Sequence, residues 1–158
     1  MYNMAIKWGL MIILIIACNL IGVIGAIWTS SDRSWYDGIN KPSFTPPGGV
    51  IGSVWTLLFT LMGISLYLVW TSPSSNIKII ALTFFVIQFI FNVAWSYLFF
   101  GLNKPLWAFI EILFLLVFIL ITTFYFFKVN KTSGYLLIPY ILWVSFASFL
   151  NYSIWRLN

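Results

Sequence analysis

The chain has 158 residues, of which 62% are hydrophobic and 7% charged, with a mean hydropathy of +1.02 and a formal net charge of +5. These values lie outside the range of soluble domains and describe an integral membrane protein. With no histidine and one cysteine, the chain lacks the commonest acid/base group and the commonest transition-metal ligand, so it offers no metal site, no internal disulfide and no conventional hydrolytic constellation.

The charged residues fall mainly between five apolar runs, near 8 to 28, 50 to 71, 79 to 100, 105 to 127 and 134 to 155. Each run is long enough as a helix to cross a hydrocarbon core of ~30 Å. The runs are continuously apolar and do not alternate with period two, which predicts helices and not barrel strands. The expected fold is an all-α integral membrane bundle of five helices, one domain over residues 1–158. The basic residues sit singly at span ends as snorkelling anchors, so no nucleic-acid partner is implied. Lys7, Lys78, Lys128 and Lys131 face one side, and Arg33, Lys41, Lys104 and Arg156 the other. That tie leaves the positive-inside rule without an orientation.

The first run is too long for a signal peptide and lacks a small-x-small cleavage site, so it reads as a retained helix. Its Cys18, Gly22 and Ala26 form a small-residue seam that suits close helix packing, either across a homodimer or within the subunit.

The connection from Thr29 to Gly49 is long for a bundle of this size. Pro42, Pro46 and Pro47 stiffen it without making it helical, and Trp35, Tyr36 and Phe44 make it aromatic. A rigid aromatic loop between spans is a candidate ligand cover.

The second span presents Trp55, Phe59 and Gly63 at four-residue spacing. In the third, Gln88, Asn92 and Ser96 fall on one stripe flanked by Trp95 and Phe99. The fourth carries Glu111, an intramembrane carboxyl that reaches the interface, pairs with Lys104 or is protonated. In the fifth, Pro139, Trp143, Ala147 and Asn151 repeat at four-residue spacing, with Ser145, Ser148 and Tyr152 on neighbouring faces. Such stripes line an apolar pocket holding a few directional polar groups, or serve as interhelical hydrogen bonds. Trp8, Trp28, Trp70, Trp107 and Trp155 lie near span ends, where indoles anchor a chain at the membrane interface.

Trp35-Tyr36, Lys41-Pro42-Ser43-Phe44-Thr45-Pro46-Pro47 and Trp55 resemble the loop and second-helix signature of the TspO/MBR family. These are the tryptophan-rich sensory proteins, a family that includes the translocator protein, or peripheral-type benzodiazepine receptor. Asn92-Val-Ala-Trp95-Ser96-Tyr-Leu-Phe99 resembles the third-helix motif, and Pro139 to Asn151 the fifth-helix motif; order and spacing agree over residues 10 to 156. Phe44 stands where many members carry tryptophan.

The resemblance implies a five-helix bundle of the bacterial cell membrane that binds porphyrins, sterols and benzodiazepine- or isoquinoline-type drugs beneath the first loop, with a role in tetrapyrrole regulation or stress. It places Trp35, Tyr36 and Pro42 in a cap, and Trp55, Phe59, Asn92, Trp95, Ser96, Phe99, Trp143 and Ala147 at the ligand. Leu150, Tyr152 and Arg156 loosely match the family's sterol motif. Porphyrin enters as ligand or substrate and no cofactor is expected.

On this reading indole faces stack on the macrocycle, Asn92 offers a directional hydrogen bond, and Arg33 or Lys41 meets propionates at the mouth. A second reading is a light- and oxygen-dependent porphyrin-degrading enzyme working through Trp55 and Trp143. A third, a small proton-coupled exporter, has only Glu111 to exchange protons.

Overall fold

The computed structural model describes the backbone of residues 2–31 and 33–158, and the side chains of 7–29 and 34–158. Helix α1 (Tyr2–Ser31) is followed by the short α2 (Arg33–Gly38) and an irregular stretch leading to α3 (Gly48–Trp70). Helix α4 (Asn76–Ser96) ends in a π-helical turn, Tyr97–Gly101, before α5 (Pro105–Val129), α6 (Lys131–Leu136) and α7 (Ile138–Leu157). Five stretches are long and apolar enough to cross a membrane: Lys7–Thr29, Gly48–Trp70, Asn76–Gly101, Pro105–Val129 and Lys131–Leu157. The protein is a multi-pass integral membrane protein.

The helix boundaries follow from local chemistry. Pro47 ends the stiff loop, and its carbonyl accepts from the amides of Val50 and Ile51 at 2.9 and 3.1 Å, opening α3. Ser75 caps α4 by accepting from the Lys78 amide at 3.1 Å. Pro105 stands in the first turn of α5, where its missing N–H leaves no vacancy in the ladder. The last span starts earlier than its hydropathy predicts, because Asn130 caps α6 through the Ser133 amide at 3.1 Å. It is also broken: Leu137 turns the chain and Pro139 restarts it as α7.

Glycines set how closely helices approach. A Cβ on Gly63 would stand 2.5 Å from the Ile15 Cα, so α1 and α3 pack backbone to backbone there. Gly22 receives the Phe59 ring, and a Cβ on Gly25 would meet Ser96 Oγ at 3.0 Å. The first-span seam therefore serves packing within the subunit against α3 and α4. Its third member is Gly25, which is buried, and not Ala26, which is exposed.

Helix α4 packs along α5, and α5 along α7. Helix α3 meets the last span chiefly at α6, where Ser65 Oγ donates to the Ser133 carbonyl at 2.8 Å. Further along, aromatic rings bridge the space between α3 and α7. The core runs through Leu58, Met62, Phe85, Ile112, Leu115, Ile119, Phe126 and Val144, while Ile13, Leu20, Ile90 and Leu142 face outward. Outward apolar residues match a lipid environment, and buried Gln88, Asn92, Ser148 and Asn151 occupy the protein side.

Candidate ligand-binding site

The loop after α1 is fastened at three places. Trp35 meets the Phe99 ring edge-on at 5.6 Å between centroids, and Tyr36 meets Phe99 and Phe100 at 6.2 and 5.5 Å. The π-helical turn presents Phe99 and Phe100 as neighbours on this surface, a use of irregular helix common at functional sites. Phe44 stacks on Phe149 of α7 at 5.4 Å and touches Phe146 at 6.3 Å. Asn40 and Asn158 form the third attachment: the Asn40 amide donates to Asn158 Oδ1, and Asn158 Nδ2 to the Asn40 carbonyl, both at 2.9 Å. Asn40 Nδ2 also donates to the Leu157 carbonyl at 3.3 Å.

Within the loop, the amide and hydroxyl of Thr45 both donate to the Pro42 carbonyl, at 3.0 and 2.7 Å, closing a turn. Lys41 donates from Nζ to the Tyr36 carbonyl and lies 4.4 Å from that residue's ring centroid. Burial, reinforced by the charge of Asp37, pushes the Tyr36 phenol above its ordinary pKa and keeps it protonated. The side chain of Arg33, the other cation proposed at the mouth, lies outside the described residues.

Beneath this cover, α3 and α7 meet through rings. Trp55 stacks on Phe59 at 5.5 Å and stands perpendicular to Trp143 at 6.5 Å. Phe59 stacks on Phe89 of α4 at 6.0 Å, and Trp143 touches Phe146 at 5.5 Å. Trp55 also approaches Tyr140 at 6.2 Å. These rings occupy the space between the helices, so a planar ligand would fit there only by displacing some of them.

Tyr140 joins the polar residues of α4. Asn92 Nδ2 donates to the Tyr140 hydroxyl at 2.9 Å, and that hydroxyl donates to Gln88 Oε1 at 2.8 Å. The sequence reading missed Tyr140 by tracing the α7 stripe from Pro139, which is exposed. The buried face of α7 is Tyr140, Val144, Ser148 and Asn151, with Trp143 and Ala147 beside it. Ser145 is exposed and bonded back to the Ile141 carbonyl. A stripe started at Tyr140 would have found this face, since it takes in both Ser148 and Asn151.

Two tryptophans expected at the ligand have different roles. Trp95 Nε1 donates to Asn151 Oδ1 at 2.9 Å, and Asn151 Nδ2 to the Pro105 carbonyl at 2.8 Å, a strut joining α4, α7 and α5. Trp143 Nε1 is buried and has no acceptor among the described residues. An indole N–H can only donate, and leaving it unpaired costs about 1 to 3 kcal/mol.

The expected site residues thus fall into two connected groups. Trp55, Phe59, Asn92, Trp143 and Ala147 belong to the main core, while Trp35, Tyr36 and Phe99 form a second cluster under the loop; Trp95 touches both. Pro42 shapes the cover, and Ser96 turns toward α1.

The sterol-motif residues divide between two faces of α7. Leu150 packs into the second cluster, whereas Tyr152 is on the outer surface against Phe109 and Trp155, and Arg156 stands over Trp155. Both carboxylate oxygens of Glu111 are buried without a hydrogen-bond partner among the described residues, so the pairing with Lys104 is not made.

A family model described as the TspO/MBR family matches residues 12–156. The chain is 42% identical over 145 residues to the tryptophan-rich protein TspO of Archaeoglobus fulgidus, covering 91% of this chain and 94% of that one. It is 36% identical over 126 residues to the translocator protein of Homo sapiens, covering 78% and 75%. With the tryptophan-rich sensory protein of Cereibacter sphaeroides it shares 32% identity over 155 residues, covering 98% and 95%.

Proposed function

This chain belongs to the TspO/MBR family, and from that premise we propose that it binds a flat, apolar, weakly acidic ligand of the protoporphyrin type beneath the loop between α1 and α3. The observation that carries the reading is the buried, unpartnered Trp143 N–H set among the rings of Trp55 and Phe146. A macrocycle supplies faces for the rings to stack on and an acceptor for the orphan donor. Lys41, held on the cover by Tyr36, is a described cation available to meet propionates at the mouth. Sterols and benzodiazepine- or isoquinoline-type drugs are alternative guests of the same apolar site. On this reading the protein has a regulatory or stress role in tetrapyrrole handling in a bacterial cell membrane, as a monomer or a homodimer.

The test is titration of detergent-purified protein with protoporphyrin IX in the dark, read by tryptophan fluorescence. Saturable quenching is expected, and absence of saturation would overturn the assignment.

A second reading is supported by the perpendicular contact of Trp55 and Trp143, two oxidisable indoles facing one ligand position. Here the bound porphyrin absorbs light, dioxygen is the oxidant and the porphyrin is the reductant, so no acid/base residue is required. Loss of the Soret band under illumination at saturating porphyrin, abolished in Trp55→Phe, is the expected sign of turnover. An unchanged band leaves binding alone.

A further inference from the structure

At the end of the bundle away from the loop, a groove of about 470 Å³ follows the seam of α4 and α5, lined by Phe84, Leu120, Ile121, Phe124 and Tyr125. Its wall is aromatic: Phe84 stacks on Tyr125 at 6.0 Å with the rings 3° from parallel, and on Phe118 at 6.2 Å. Its rim, Leu120 and Phe124, is exposed within the span Pro105–Val129, so hydrocarbon chains are the surrounding phase. One helical turn beyond Phe124, where α5 leaves the membrane, the Lys128 ammonium lies 4.6 Å from the Phe124 ring centroid.

We propose that this groove binds one acyl chain of an anionic phospholipid, with the lipid phosphate on Lys128. Charge complementarity favours this occupant. The span ends at this side carry Lys7, Lys78, Lys128 and Lys131, while the described acidic residues, Asp37 and Glu111, both belong to the loop-side half. Lys78 is engaged with the carbonyls of Trp70 and Ser72 at 2.6 and 2.8 Å, whereas Lys128 stands over Phe124, a residue of the groove lining. A second copy of the chain is a poorer occupant, because close helix contacts in membranes use small residues and this lining has none.

The experiment is native mass spectrometry of the purified full chain with equal amounts of phosphatidylglycerol and phosphatidylcholine carrying the same acyl chains. Wild type should retain phosphatidylglycerol roughly fivefold better, the effect of one lysine near an anionic headgroup. Lys128→Gln should abolish that preference, Lys128→Arg should keep it, and Lys131→Gln should leave it largely intact. Leu120→Trp, which fills the groove without touching charge, should weaken retention while the protoporphyrin concentration giving half-maximal quenching stays as in wild type. Equal retention of the two lipids by wild type would overturn the proposal. So would equal loss in Lys128→Gln and Lys131→Gln, which marks diffuse surface charge, or retention of cholesterol in preference to phosphatidylglycerol that Leu120→Trp removes.

Discussion

Trp143 and Trp95 look alike in sequence, each on a span that carries asparagine, yet their indole N–H groups have opposite fates. Trp95 is bonded to Asn151, whereas the Trp143 N–H is buried with no acceptor among the described residues. Trp143→Phe keeps a ring and removes the orphan donor. It should weaken protoporphyrin binding about 3- to 10-fold, the effect of one hydrogen bond, with the thermal midpoint held or raised; unchanged affinity in the fluorescence titration would count against Trp143 as a ligand contact. Trp95→Phe strands Asn151 Oδ1 and should lower stability by about 1 to 3 kcal/mol, measured by thermal unfolding in detergent. Tyr140→Phe deprives both Gln88 and Asn92 of their partner and should cost at least as much in the same assay. Sequence indicated which residue types gather on which helices, but a hydrogen bond between spans depends on azimuth and depth together. Periodicity reports only the first.

Among the elements, the loop between α1 and α3 and the break in the last span matter most. Three prolines and three aromatics announced a structured cover, but nothing local announced that Asn40 would be clasped by Asn158. Such a contact joins residues 118 positions apart in the chain and leaves no periodic trace. Asn158→Ala should therefore speed amide hydrogen exchange in residues 34–46 while exchange in α3 to α5 stays unchanged; unaltered loop protection would show the aromatic contacts alone hold the cover. The α1–α3 packing is tested by Gly63→Ala. Its Cβ meets backbone at Ile15, which cannot swing aside as a side chain would, so a loss of about 1 to 3 kcal/mol is expected in thermal unfolding. The small-residue seam on α1 was visible in sequence, but its partner was not, because Gly and Cys mark close approach without saying to what.

Considered whole, the bundle closes its candidate site with its own rings. Phe89, Phe59, Trp55, Trp143 and Phe146 form one chain of ring contacts, so on the proposed function a planar guest must await or induce their rearrangement. Protoporphyrin association should then run below the diffusional range and its observed rate should level off as ligand concentration rises; stopped-flow tryptophan quenching with a rate linear to the highest concentration would argue for an open site. What the sequence determined by itself is the membrane class, five helical spans, the stiff aromatic loop and the family. Each of these rests on composition, run length or a local motif, and hydrocarbon permits few alternatives to a helix once a run is long and apolar. Only the tertiary structure decided which face of α7 turns inward, that Tyr140 bridges Gln88 and Asn92, that Trp95 is a strut while Trp143 keeps a spare donor, and that Glu111 finds no hydrogen-bond partner among the described residues. Those outcomes depend on how α3, α4, α5 and α7 are rotated and offset against one another. That geometry is a joint solution of packing and hydrogen bonding over the whole bundle, and no single helix carries it.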